Sequence, residues 1–183
     1  MHEMGVKCSD CHNVHSGKVK FQNNQLCTQC HLPTQYDSEK HHHHDKNKPS
    51  ASCVDCHMPG QYFMGRHFRR DHSLRIPRPD ISKVTNSPNA CNSCHKDKSV
   101  DWAVEKTSLW YGTKTKDHYG FTFHKAGLQD PSAIDELKII INDEQKPIIV
   151  RQTAMDVLRL NYPEQSQPIL NPFLTNKKIA LRY

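Results

Sequence analysis

All eight cysteines of the chain fall in four copies of one five-residue pattern: two cysteines separated by two residues, followed at once by histidine. The copies are Cys8-Ser9-Asp10-Cys11-His12, Cys27-Thr28-Gln29-Cys30-His31, Cys53-Val54-Asp55-Cys56-His57 and Cys91-Asn92-Ser93-Cys94-His95. With this composition, chance would give on the order of 0.03 copies in the chain. No cysteine is left over. Any fold this chain adopts must therefore hold four such turns, whose first cysteines stand 19, 26 and 38 residues apart.

The spacing has a chemical reading. C-x-x-C-H is the attachment signature of c-type haem. Two thiols reach the two vinyl groups on one porphyrin edge and form thioethers, and the adjacent histidine lies under the ring as the proximal iron ligand. Cys8, Cys11, Cys27, Cys30, Cys53, Cys56, Cys91 and Cys94 are thus the expected covalent anchors, and His12, His31, His57 and His95 the expected proximal ligands. Two zinc sites would also use eight cysteines, and an even count suits a disulfide framework. Neither requires a histidine after every second cysteine. A thioredoxin-like redox pair needs one motif within a β-α-β pattern, which is absent here.

Four proximal ligands leave ten other histidines: His2, His15, the run His41 to His44, His67, His72, His118 and His124. Such a run commonly reads as a metal-binding tract or a tag, yet this one sits inside the chain, nine to twelve residues before Cys53. Met58 follows a proximal histidine directly, and Met155 lies in a region without histidine or cysteine. Bis-histidine ligation is therefore expected, which favours low reduction potentials. His15 is three residues from His12 and is better placed to serve a neighbouring iron than its own. His72 stands in Arg69-Arg70-Asp71-His72-Ser73, where Asp71 or a backbone carbonyl can orient its imidazole.

Composition divides the chain. Residues 1 to about 125 hold every cysteine and histidine, and residues 126 to 183 hold none. The second region has a helical apolar period instead. Ile134, Leu137, Lys138 and Ile141 predict one helix opened by Pro131 and Ser132, and Ile149, Thr153, Val157 and Leu160 a second with Pro147 at its first turn. Ile148-Ile149-Val150-Arg151 recurs 31 residues on as Ile179-Ala180-Leu181-Arg182, a hint of a HEAT-like repeat with a short period. In the first region a helix is expected over Ser99 to Tyr111, with Val100, Ala103, Val104, Thr107 and Trp110 on one face. Lys46 to Ser50, Pro77-Arg78-Pro79-Asp80 and Thr85 to Asn89 read as loops.

The segment Met1 to about Lys125 resembles multihaem c-type cytochromes with doubled C-x-x-C-H motifs and TPR-like or HEAT-like helical repeats downstream. The resemblance rests on His2 to Gly17, on the histidine run followed by Cys53 to Pro59, and on Arg69 to Asp80 (RRDHSLRIPRPD). Pro88 to His95 and Trp110-Tyr111-Gly112 complete it. It implies His15, His72 and one or two of the run, His43 and His44, as distal iron ligands, with His2 a further candidate. Members often carry extra haems upstream, so the chain is expected to be a shortened relative or a processed product.

The expected fold is mainly α with much irregular loop: a haem-cored tetrahaem cytochrome c domain over 1–125, then a helical-hairpin, HEAT-like tail over 126–183. Hydrophobic residues are 35% and mean hydropathy is -0.82, lean for a polypeptide that must bury a core of its own. The four haem c groups are expected to supply that core. The formal charge of +6 is scattered, with no basic helix face, so no nucleic-acid partner is expected. Four haems would bring about eight propionate charges for the Lys and Arg residues to offset. No stretch is long and apolar enough for a transmembrane segment, and Met1 to Val6 lacks the apolar core of a signal peptide. The expected work is electron transfer, with other redox proteins or copies of the chain as partners, possible assembly into a filament, and a periplasmic or extracellular location. The alternative is a multihaem reductase of a small nitrogen compound with one open iron; four intact motif histidines and the spare ones weigh against it.

Overall fold

The computed structural model describes residues 5–113 and 118–174. His2 and the Ile179 to Arg182 recurrence lie outside the described residues. The chain is mainly helical. Short helices carry the first half: α1 Cys8–Cys11, α2 Gln25–Thr28, α3 Pro33–Tyr36, α4 Glu39–His42 and α5 Cys53–His57. A hairpin follows, β1 Gly60–Phe63 against β2 His67–Arg70, with Gly60 opposite Arg70. Then come α6 Pro79–Thr85, α7 Ala90–Cys94, α8 Val100–Tyr111, α9 Tyr119–Gly127, α10 Ala133–Asn142, α11 Ile148–Asn161 and α12 Pro163–Leu170.

The chain divides into two compact units, Met1–Pro79 with Pro88–Lys106, and Asp80–Ser87 with Thr107–Tyr183. The second builds an ordinary core. Leu137, Ile141, Met155 and Leu158 are fully buried, with Ala126, Ala133, Ile140, Val150, Ala154, Tyr162 and Leu170 around them. Helices α10 and α11 form the expected hairpin. The buried Arg151 closes it: its Nε donates to the Ile141 carbonyl at 2.8 Å, satisfying one of the orphan acceptors at the end of α10. Met155 is core packing, which removes it from any ligand role.

The division expected near residue 125 falls inside α9, which packs on both α10 and α11. Thr122 Oγ1 donates to Glu136 Oε2 at 2.8 Å, and Lys125 pairs with Glu136 Oε1. Helix α9 thus belongs to the second unit although it carries His124. The loop expected across Pro77 to Asp80 is likewise shorter than read. Pro79 opens α6, as proline's fixed φ and missing N–H suit a first helical turn.

The first unit is built differently. Among its described residues only Ala51, Pro79 and Ala103 are buried apolar positions. Val14, Phe21, Leu32, Tyr36, Leu74 and Ile76 are exposed. Among the described residues the unit has no counterpart of the Leu137–Leu158 cluster, and polar tethers link its turns. Asn24 is the clearest tether. Its Nδ2 donates to Asp37 Oδ1 and to the Ala51 carbonyl, at 2.8 and 3.0 Å, and its Oδ1 accepts from the Cys53 N–H at 3.0 Å.

Candidate functional site: facing imidazoles beside the cysteine turns

Each C-x-x-C-H motif folds as one helical turn. In the first, second and fourth the histidine N–H donates to the carbonyl of the first cysteine, at 2.8, 3.0 and 2.9 Å. The third turn is the helix α5 itself. An i, i+3 spacing on such a turn puts both thiols on one side. None of the eight cysteines is in a disulfide. Asn89 caps α7, its Oδ1 accepting the Asn92 N–H at 3.0 Å, and Asn92 Nδ2 reaches on to the Lys98 carbonyl at 2.8 Å.

The thiols report how the turns are arranged. The Cys53 thiol donates to Cys27, lowering Cys27 to about 7 and raising Cys53. Burial pushes Cys11 up, helped by the nearby Cys27 and Cys30. Burial pushes Cys56 up to about 11, with Cys91, Asp55 and Cys94 adding to it. The first turn therefore lies by the second, the second by the third and the third by the fourth, in chain order.

The histidines pair across gaps. His12 and His72 have ring centroids 6.2 Å apart and planes 33° apart. His41 and His57 stand 6.1 Å apart and 10° from parallel. His44 and His95 stand 6.1 Å apart at 33°. These separations lie toward the long end of ordinary ring pairing. They match a metal ion held between two imidazoles: bonds of about 2 Å to one nitrogen of each ring, plus about 1.1 Å from nitrogen to ring centre, give about 6.2 Å.

The ring nitrogens are oriented to suit. His12 Nδ1 lies 2.8 Å from the Gly17 carbonyl, His72 Nδ1 2.8 Å from the Arg70 carbonyl, His57 Nδ1 2.8 Å from the Arg75 carbonyl, and His44 Nδ1 2.5 Å from the His42 carbonyl. A carbonyl only accepts, so each Nδ1 is the N–H and each Nε2 keeps its lone pair for a metal. Gly17 serves His12 through a turn at φ +68°, a region glycine enters freely. Burial, then the charges of His57, His42 and His43, hold His41 below its ordinary pKa, as a neutral ligand requires.

Of the sequence-stated distal candidates, His44 and His72 stand in such pairs. His15 is exposed in a turn where its N–H donates to Asn13 Oδ1 at 3.0 Å, and among the described residues it joins no ring pair. His43 is half-buried at the C-cap of α4 with φ 55°, and burial, then His42 and His44, lowers its pKa. His118 has a structural task, its Nδ1 accepting the Gly120 N–H at 3.0 Å as the cap of α9. The motif histidine His31 meets the edge of Tyr36 at 5.3 Å, and Tyr36 meets His41 at 5.4 Å. His95 has Trp102 against it at 4.8 Å.

Sequence reasoning missed His41, which sits on the last turn of α4 and faces His57. It also missed His42, whose Nε2 is buried with no hydrogen-bond partner. Position within a four-histidine run gave no signal separating them from His43.

Among the described residues no group of three or more His, Cys, Asp or Glu side chains converges as a zinc cage would; facing pairs recur instead. No helix among them is long and apolar enough to cross a membrane. Comparison with family models, curated proteins and solved structures gave no match.

The residues fit c-type haem on three counts. Each turn supplies two thiols and one histidine. Three motif histidines face a second imidazole at the separation that shared iron requires. The surrounding polypeptide brings almost no core of its own.

Proposed function

We propose that this chain is a tetrahaem c-type cytochrome whose work is electron transfer. One observation carries the reading: three imidazole pairs, each joining a motif histidine to a distant one, stand 6.1–6.2 Å apart. Covalently held haem c, when bound, supplies reversible one-electron chemistry at iron. The chain's own part is attachment, ligation and spacing.

Cys8 and Cys11, Cys27 and Cys30, Cys53 and Cys56, and Cys91 and Cys94 would form the thioethers. His12, His31, His57 and His95 would ligate the irons from the attachment side, with His72, His41 and His44 opposite His12, His57 and His95. For His31 the remaining candidates are His42, His43, His15 and His2. Two imidazoles on an iron leave no position for a substrate, which favours a carrier over a reductase. With haem bound, neighbouring turns in chain order would let electrons pass along the motifs and out to other redox proteins or to copies of the chain. Attachment of this kind is completed outside the cytoplasmic membrane in bacteria and archaea, so the compartment we propose is periplasmic or extracellular.

Intact mass after acid denaturation tests the reading. The expected result is the polypeptide plus four haem masses, with reduced protein failing to bind carbon monoxide rapidly. A bare polypeptide mass, or polypeptide plus zinc, overturns it. Rapid carbon monoxide binding at one iron per chain would move the reductase reading ahead.

A further inference from the structure

The segment Arg70–Arg75 holds imidazoles from two different pairs. The Arg70 carbonyl takes the His72 Nδ1–H at 2.8 Å, and His72 faces His12. The Arg75 carbonyl takes the His57 Nδ1–H at 2.8 Å, and His57 faces His41. The Arg75 N–H also donates to the His57 carbonyl at 3.0 Å. Six residues thus set the ring orientation in the pair of the first motif and in the pair of the third.

The segment is tied at both ends and across its middle. Arg70 Nη2 pairs with Asp55 Oδ1 at 2.7 Å, and its Nη1 donates to the Val54 and Met58 carbonyls, each at 3.2 Å. Those bonds fix β2 to the helix α5 that carries Cys53, Cys56 and His57. Asp71 is the cross-tie. Its Oδ1 accepts the Ser73 N–H at 2.8 Å and its Oδ2 pairs with Arg75 Nε at 3.0 Å, while the Asp71 N–H donates to the Pro59 carbonyl at 3.1 Å. Leu74 lies at φ 49°, where side-chain-bearing residues seldom settle, so these bonds and not local preference fix the path of the turn.

We infer that Arg70–Arg75 is a shared positioning turn, cross-tied by Asp71, that couples the ligand fields of the first and third irons. The inference rests on the bis-histidine haem reading above. A carbonyl accepting from Nδ1 orients a ligating imidazole and raises its basicity, and losing such a partner typically weakens a metal site about 10–100-fold. Loosening one turn should therefore register at two irons that belong to different motifs.

The test uses the full holoprotein. His72→Met and His41→Met first assign the low-spin ferric resonances of the first and third irons, since each should move one signal of four. Asp71→Ala should then move both assigned signals, raise both midpoint potentials and leave the other two unchanged. Its mass should still include four haems. Where Asp71→Ala fails to mature, Arg75→Gln carries the same test, since it breaks the same tie from a side chain that is 70% exposed. Movement of only one assigned signal, of neither, or of all four alike overturns the shared turn. A wild-type mass without haem overturns the underlying reading instead, so the two failures are distinguishable.

Discussion

His41 and His57 pair with ring planes 10° apart and centroids 6.1 Å apart, although they stand sixteen positions apart in the chain. Aromatic rings pair offset or edge-on with centroids about 4.5–7 Å apart, so the distance alone does not mark this pair; what marks it is that one of its members is a motif histidine. A metal ion bonded to one nitrogen of each ring would match that separation. Tyr36 stands edge-on to His41, with ring centroids 5.4 Å apart.

His41→Met should therefore alter one haem only. Methionine opposite histidine raises the potential of a haem iron, so one of four midpoint potentials should rise while the other three hold. Redox titration followed by visible spectroscopy checks this. A titration identical to the wild type would mean that His41 is a run residue without a ligand's task.

The two halves of that pair differed in legibility. The place of His57 was legible because its motif is local: its cysteines precede it within one helical turn. His41 was not, because the choice among His41, His42, His43 and His44 is made by where α3 and α4 carry the run, and four identical residues in a row have no pattern to read. For His72 the sequence leaves Asp71 and a backbone carbonyl open as the orienting group, and the structure has the Arg70 carbonyl 2.8 Å from its Nδ1. The α10–α11 hairpin followed from its apolar period. Helix α9 did not, since Gly120, His124 and Gly127 dilute its apolar face. The β1–β2 hairpin has no buried strand face to impose alternation; its turn residues Met64 and Gly65, both at positive φ, are the one local signal.

Asn24 joins the second motif to the third through three hydrogen bonds, one of them to the Cys53 N–H. Asn24→Ala leaves that N–H, the Ala51 carbonyl and Asp37 without this partner. Half-buried groups stripped of a partner cost about 1–3 kcal/mol. Thermal unfolding of the holoprotein should show a lower midpoint, with haem content unchanged. A midpoint equal to the wild type would remove Asn24 from the set of structural tethers.

Glu136 supplies a pH dependence with a definite sign. The hydrogen bond from Lys125 holds its carboxyl below the ordinary value; burial opposes this, and Thr122 and the Lys125 charge assist. A carboxyl lowered in the folded state contributes stability above its unfolded pKa and loses it as pH falls through the folded value. Stability should thus decline on acidification below the ordinary carboxylate range, and Glu136→Gln should flatten that decline. Both groups are over a third exposed, so salt should weaken the difference. Denaturant melts at several pH values measure it; equal slopes for the two proteins would count against the pair.

Leu137 is fully buried at the centre of the second unit, whereas the three facing imidazole pairs described above lie within Met1–Pro79 and Pro88–Lys106. The residues holding those rings, Gly17, Arg70, Arg75 and His42, lie there too. Leu137→Ala should remove about 2–5 kcal/mol from the second unit, as core leucine truncations do. Far-ultraviolet circular dichroism should follow that loss, because α9 to α12 are the long helices between Tyr119 and Leu170. The haem Soret band should hold its native position through the temperature at which the variant's helices melt. If the Soret band shifts at that same temperature, the α9–α12 helices support the ligand pairs as well as their own core, and the two units unfold as one.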